Sequence, residues 1–399
     1  MDSGLHVSKR LDELDSLRGF AAISVVFYHF KLFWLEEAMH GASQHSKKLF
    51  GLSVAPFSAG HQSVVLFFVL SGLVLSIPAI DSKAQPYAIF VLRRVFRIYV
   101  PYLAALVLAV LGNIYFCGSV TQSAWLNKSW SSNVDWRSVA QHIIFVGQYN
   151  TDQFDNPIWS LVQEMRISFV FPILCAFVLR LKPFHSLIVA ASLSCLSAFA
   201  MVALHLTSTH ISPFMTLHYA SLFVLGIYVA RRRDVISVAF TRLSRLTKML
   251  IAFLSLALYV YTPVVFDYVM FRVTHVDLSP FADWFTALGA IGLIVFSLNA
   301  VLCRRILLCP PVRALGKVSY SLYLLHVIVL LLSVHILYGR VPLLFILTLC
   351  LLAVIMASWA FYRFVELPSM ILGYRLSGYL KLQMAAGVKG CSRPTVLDV

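Results

Sequence analysis

LDELDSLRGFAAISVVFYHFKLFWL, residues Leu11–Leu35, decides the fold class. It is an apolar run of membrane-spanning length, interrupted near its start by Arg18 and eleven residues later by His29. On an α-helix that separation is roughly 16 Å of rise, a little over three turns. With the start of the helix at the cytoplasmic surface, Arg18 lies at the membrane boundary and His29 well inside the bilayer. Ionisable side chains are costly at that depth, so an intramembrane histidine marks a candidate functional site. The competing reading is a histidine satisfied by a neighbouring helix or reaching outward to the interface.

The rest of the chain agrees with a membrane setting. Its 399 residues are 60% hydrophobic and only 12% charged, with a mean hydropathy of +0.83. A soluble domain is about half apolar and a quarter charged. The formal charge of +15 does not point to nucleic acid, because the basic residues fall between hydrophobic spans and Asp and Glu total only 17. The seven cysteines are scattered without a paired motif, so neither a disulfide framework nor a zinc site is indicated, and no metal site is expected. The first apolar run reads as a retained span and not as a cleavable signal.

The expectation is an all-α polytopic protein of about ten transmembrane helices, each of about 17–24 residues. They fall near 15–35, 61–80, 98–117, 157–180, 185–206, 213–231, 248–266, 283–302, 318–338 and 342–363. Lys and Arg concentrate on the side shared by Arg18, Arg94 and Arg97, which places both termini in the cytoplasm and the protein in the cell inner (plasma) membrane. Residues 1–375 read as one transmembrane domain and 376–399 as a mobile cytoplasmic tail. The long outer loops are 36–60 and 118–156. The second is rich in Trp and Tyr, which suit a membrane interface or the faces of sugars.

Four further stretches carry ionisable or hydroxyl groups. In LRRVFRIYVPY, residues 92–102, Arg94 and Arg97 are three apart on one face of a turn. Their planar forks suit phosphate oxygens, or else they are ordinary cytoplasmic anchors. In DNPIWSLVQEMRISFVFP, residues 155–172, Trp159 marks the outer interface and Glu164 lies about two turns deeper. Running opposite to the first span, Glu164 comes to a depth similar to that of His29, and a carboxylate that orients a histidine is a recurring acid/base arrangement. In GKVSYSLYLLH, residues 316–326, Ser319, Ser321 and Tyr323 accompany a second intramembrane histidine, His326. It is a second acid/base group, a substrate contact, or part of helix–helix packing. In YRFVELP, residues 362–368, Arg363 and Glu366 read as an ion pair at the inner surface. Two functions fit these residues: an enzyme using a membrane-embedded histidine with a phosphate-bearing co-substrate, and a proton-coupled transporter using His29 and Glu164 as a relay.

Taken together, LDSLRGFAAISVVFYH, LFFVLSG at 66–72, RRVFRIYVPY, NPIWSLVQE, SYSLYLLH and YRFVELP resemble, in order, the motifs of the acyltransferase 3 family of integral membrane acyltransferases. The resemblance runs from about Leu11 to Tyr374. It implies transfer of an acyl group, usually acetyl, from cytoplasmic acyl-CoA to a hydroxyl of an extracytoplasmic polysaccharide or glycolipid such as an exopolysaccharide or O-antigen. Acetyl-CoA is then a co-substrate and not a tightly bound cofactor. Arg18, Arg94 and Arg97 would hold its phosphates and His29 would act as general base, oriented by Glu164. Trp159, Ser160, Tyr323 and His326 would contact the acceptor, and membrane lipid would surround the helices. Many members have two acids where this chain has Glu164-Met165, so no carboxylate pair exists there. The extracytoplasmic esterase-like domain fused to some members is not seen, so a second transfer step would need a separate protein partner.

Overall fold

The computed structural model describes residues 11–204, 212–266 and 279–390. The expected short connection after the fifth span lies outside them in part. Among the described residues the chain is helical and without strands. The helices are α1 (Asp12–Glu37), α2 (Gln44–Val54), α3 (Gly60–Ile80), α4 (Tyr87–Arg94), α5 (Val100–Tyr115), α6 (Trp136–Ile144), α7 (Ile158–Arg180) and α8 (Pro183–Ala203). They continue as α9 (Pro213–Arg242), α10 (Arg245–Val265), α11 (Ser279–Asn299), α12 (Val301–Leu307), α13 (Pro310–Leu337), α14 (Leu343–Phe361) and α15 (Leu367–Gly390).

Nine helical stretches among the described residues are long and apolar enough to cross a membrane. The ten expected spans differ from these nine by α1, which has the length, at 26 residues, but whose acids, Arg18, His29 and Lys31 lower its hydropathy. The helix on which the sequence reading turned is therefore the least lipid-like of the long ones. Several stretches also exceed their expected limits, α9 among them, and two do so through π turns. Helices α4 and α5 join through a π turn, Val95–Tyr99, into one stretch from Tyr87 to Tyr115. Helices α14 and α15 join through a second π turn, Tyr362–Glu366. Residues 376–390 accordingly extend a helix, and the domain boundary expected at 375 falls inside it.

Two parallel helix pairs organise the bundle. Helices α1 and α13 start at the same end, which is rich in arginine. The acidic first turn of α1, favourable at a helix N-terminus, meets basic residues there: Asp12 pairs with Arg313 at 2.9 Å and Glu13 with Arg304 at 2.9 Å. A Cβ on Gly19 would lie 2.7 Å from the Gly316 backbone nitrogen, and one on Gly316 would lie 2.6 Å from the Asp15 carbonyl oxygen. Only glycine permits that approach, in the manner of small-residue contacts between membrane helices. Helices α3 and α9 repeat the device: a Cβ on Gly72 would sit 2.1 Å from the Phe223 carbonyl oxygen, and one on Gly226 2.2 Å from that of Val69.

Each pair anchors an apolar core. One core gathers α1, α5, α7, α13 and α14 with Trp130, Phe145 and Phe154 of the long loop region. The other gathers α3, α7, α8, α9, α10 and α11. Helix α7 contributes to both cores, so its first turn faces both pairs.

Candidate active site

The glycine contact sets the register of α1 on α13. Gly19 and Gly316 are offset by 297 residues, and so are His29 and His326, whose side chains meet ten residues further along. His29 Nδ1 lies 2.9 Å from His326 Nε2, with both rings buried. The second nitrogen of His326, Nδ1, is 2.7 Å from the Tyr323 carbonyl oxygen. A carbonyl only accepts, so Nδ1 of neutral His326 carries the proton and its Nε2 offers a lone pair. His29 then donates from Nδ1, and its Nε2 is left with a lone pair. The pairing thus fixes the tautomer in which His29 Nε2 is basic.

The loop end of this site is covered. Trp125 stacks on the His29 ring at 5.0 Å between centroids and 18° between planes. The last turn of α1 holds that loop in place. Glu36 accepts hydrogen bonds from the Trp125 backbone N–H at 2.9 Å and the Ser123 hydroxyl at 2.6 Å. Glu37 accepts from the Gln122 N–H at 3.1 Å and from the Tyr338 hydroxyl on the partner helix. Beside the histidines, the Tyr323 and Ser160 hydroxyls lie 2.6 Å apart, and both reach the Pro157 carbonyl. The loop residue Asp155, also near Tyr323, is 1% exposed, and its Oδ1 has no hydrogen-bond partner. Burial pushes its carboxyl well above the usual carboxylate range.

At the opposite end Arg18, Arg94 and Arg97 stand close enough to repel one another electrostatically. Carboxylates hold them in place. Asp15 is 3.4 Å from Arg18, Glu164 is 3.5 Å from Arg94, and Glu366 is 3.9 Å from Arg97. A guanidinium has five donors, and these contacts leave capacity for phosphate oxygens. Arg97 and Glu366 come from the two π turns and link them by this pair; π turns recur at functional sites.

Two expected pairings are corrected. Glu164 does not orient His29: its carboxylate meets Arg94, and it accepts the Ser71 hydroxyl at 3.2 Å. Nor does it lie at the depth of His29: Ser160 is level with Tyr323, one turn before His326, and α7 carries Glu164 a further turn toward the arginine end, packing on α3, α4 and α9, whereas α1 packs on α13 and α3. His326 occupies the place assigned to Glu164. Likewise Glu366 serves Arg97 and Ser321, at 2.6 Å from the latter's hydroxyl, and not Arg363, which is exposed. Ser160, Tyr323 and His326 do converge on His29. Trp159 does not: it stacks near-parallel with His61, at 6.3 Å and 19°.

His61 opens a centre that the sequence reading missed. Its Nε2 is 2.6 Å from Asp283 Oδ1, while His218 Nε2 is 3.1 Å from Asp283 Oδ2. Asp283 and His218 are buried. The three come from α3, α9 and α11 and share no local signature. A signal existed only in the separate occurrence of ionisable residues at the starts of three apolar spans. No group of three His, Cys, Asp or Glu side chains among the described residues is arranged to hold a metal ion.

No solved structure matches the chain. Over 391 residues it is 23% identical to the O-acetyltransferase OatA of Staphylococcus aureus strain NCTC 8325 / PS 47, and equally to those of strains COL and MRSA252. Each alignment covers 94% of this chain and 60% of the relative, so the chain spans about 60% of the length of these curated relatives. The family profile described as the acyltransferase domain matches residues 11–363, which contain both histidines and all three arginines of the site. This chain therefore belongs to the acyltransferase 3 family.

Proposed function

We propose that the chain is a membrane O-acyltransferase that moves an acyl group, most simply acetyl, from acyl-CoA at the arginine end to a hydroxyl of a glycan or glycolipid at the loop end. The observation that carries this reading is the His29–His326 pair, which stands on two parallel helices between an arginine cluster and a tryptophan-bearing loop. The naming of the relatives as O-acetyltransferases supports acetyl as the group and oxygen as the acceptor atom. The gathering of Arg18, Arg94, Arg97, Arg304 and Arg313 at one end supports a cytoplasmic position for that end and for both termini, in the cell inner membrane.

The residues divide the work by position. Arg18, Arg94 and Arg97 bind the phosphates of the donor, and its thioester extends toward His29. As the acceptor oxygen attacks the thioester carbonyl, His29 Nε2 takes the hydroxyl proton. Collapse of the tetrahedral intermediate expels the CoA thiolate, and the imidazolium returns the proton to it. His326 accepts from His29 Nδ1 throughout, and the Trp125 face lies against the ring as it becomes positive. Glu164 acts one step removed, by holding Arg94. A proton relay through His29 and Glu164, as a transporter would need, lacks its connecting contact, since each is bonded elsewhere.

The test compares native membranes from cells without the protein, with the wild type and with His29→Ala or His326→Ala, supplied with radiolabelled acetyl-CoA. Glycan extracts are also weighed by mass spectrometry. Label and acetyl mass on glycan in the wild type alone is the expected result. Equal labelling in the His29→Ala membranes would remove His29 from the chemistry, and labelling in none would overturn the acyltransferase reading.

A further inference from the structure

Acyl transfer from a thioester to an alcohol neither consumes nor releases a proton overall, so His29 and His326 complete the proton balance by themselves. The buried network around Asp283 is surplus to it. Its bonds converge on the carboxylate from two sides. Trp284 Nε1–H donates to Ser194 Oγ at 3.0 Å, and the Ser194 hydroxyl donates to His218 Nδ1 at 2.9 Å. His218 Nε2–H then donates to Asp283 Oδ2 at 3.1 Å. A carboxylate only accepts, so Asp283 Oδ1 accepts a hydrogen bond from His61 Nε2–H at 2.6 Å. The chain begins deep among α8, α9 and α11 and surfaces at His61, whose side chain is 26% exposed against 3% for Asp283 and 0% for His218. A buried carboxylate thereby fixes the orientation of one partly exposed imidazole.

That imidazole is not alone. Trp159, itself partly exposed, lies near-parallel to it, and the buried Tyr219 ring backs Trp159 at 5.7 Å. Two rings held from behind make a rigid, amphipathic face of the type that takes a flat apolar surface edged with hydroxyls. The next residue after Trp159 is Ser160, whose hydroxyl is 2.6 Å from that of Tyr323, and His326 lies one turn beyond Tyr323 on α13. The first turn of α7 thus touches both histidine centres. Asp155, whose buried Oδ1 has no partner, is also close to Tyr323.

We propose that His61 and Trp159, fixed from behind by Asp283, form a stacking shelf for one sugar ring of the acceptor, and that the Ser160–Tyr323 hydroxyl pair leads from this shelf to His326 and His29. The ligand class is a saccharide of more than one ring, with the acylated hydroxyl on the ring beyond the shelf. The inference rests on the acyltransferase reading above.

The experiment uses native membranes with their endogenous glycan and radiolabelled acetyl-CoA, and compares wild type, Trp159→Leu, Trp159→Phe and His61→Gln. The glutamine keeps a donor for Asp283 and removes the ring, so it repeats the test should Trp159→Leu fail to accumulate. Glycan labelling at saturating acetyl-CoA, normalised to protein amount, falls about ten-fold in Trp159→Leu and His61→Gln and largely recovers in Trp159→Phe. The KM for acetyl-CoA stays at the wild-type value. Full labelling without the rings, no recovery in Trp159→Phe, or a moved acetyl-CoA KM would each overturn the shelf. Wild-type membranes that label no glycan would instead overturn the acyltransferase reading beneath it.

Discussion

The molecule contains two histidine pairs built on the same device and finished differently. In both, two parallel helices touch through glycines, at Gly19 and Gly316 or at Gly72 and Gly226, and the imidazoles are placed by that contact. On α1 and α13 the histidines bond directly to each other, with an aromatic face above and no carboxylate. On α3 and α9 a buried aspartate from α11 stands between them and accepts a hydrogen bond from each. The difference fits the roles proposed for them above. An imidazole bonded to another imidazole keeps a lone pair and can gain and lose a proton. An imidazole committed to a carboxylate is held as a donor and serves as a fixture.

Removing one member from each pair separates these roles most strongly. His29→Ala lowers glycan acylation by about 10²–10⁴-fold, the usual loss for a general base, with the melting temperature of the detergent-solubilised protein close to wild type. His218→Ala does the reverse. It leaves Asp283 buried with one donor fewer, a change that costs about 3–5 kcal/mol, and the melting curve shifts before any kinetic constant does. If His218→Ala proved fully stable, the aspartate would not be a structural charge and the comparison would fail.

The next effect probes the glycine contact. Gly316→Ala puts a methyl group against the Asp15 carbonyl and parts α1 from α13. A displacement of about 1 Å costs about 10²-fold in rate, measured as glycan labelling, and because Arg18 adjoins Gly19 the acetyl-CoA KM rises with it. Smaller again is Trp125→Leu, which removes a ring stack worth about 0.5–1.5 kcal/mol. It lowers the labelling rate by roughly that equivalent, and Trp125→Phe restores part of it.

The smallest effect is a pH dependence of stability at Asp155. Burial raises its carboxyl in the folded protein, so the group contributes stability below the ordinary carboxylate range and loses it as pH rises through the raised value. Thermal melts taken from acid to alkaline pH show the wild type weakening over that window. In Asp155→Asn, which cannot ionise, that part of the slope disappears.

Much of this was legible in the sequence, for physical reasons that also mark where legibility stopped. Apolar runs reveal spans because lipid demands them, and the interruptions Arg18, His29, Arg94, Arg97 and His326 stood out against that background. Depth along a helix follows from counting residues, so Arg18, Arg94 and Arg97 were placed on one level correctly. Direction around a helix axis follows from packing, and packing depends on where glycines let backbones touch. The level and the neighbour of Glu164 both follow from that packing: its carboxylate lies at the arginine end with Arg94 and not beside His29. The π turns at Val95–Tyr99 and Tyr362–Glu366 shift the face of everything after them by an amount that no hydropathy pattern records. The Asp283 network joins residues 222 and 65 positions apart, each unremarkable in its own span.

The indole laid over His29 has a consequence for the economy of the cell. An activated thioester brought to a basic imidazole is as open to water as to an alcohol, and each hydrolysed molecule is a donor wasted across a membrane. On the acyltransferase reading proposed above, Trp125, tethered through Glu36 to the end of the very helix that carries His29, keeps one face of that imidazole covered against water.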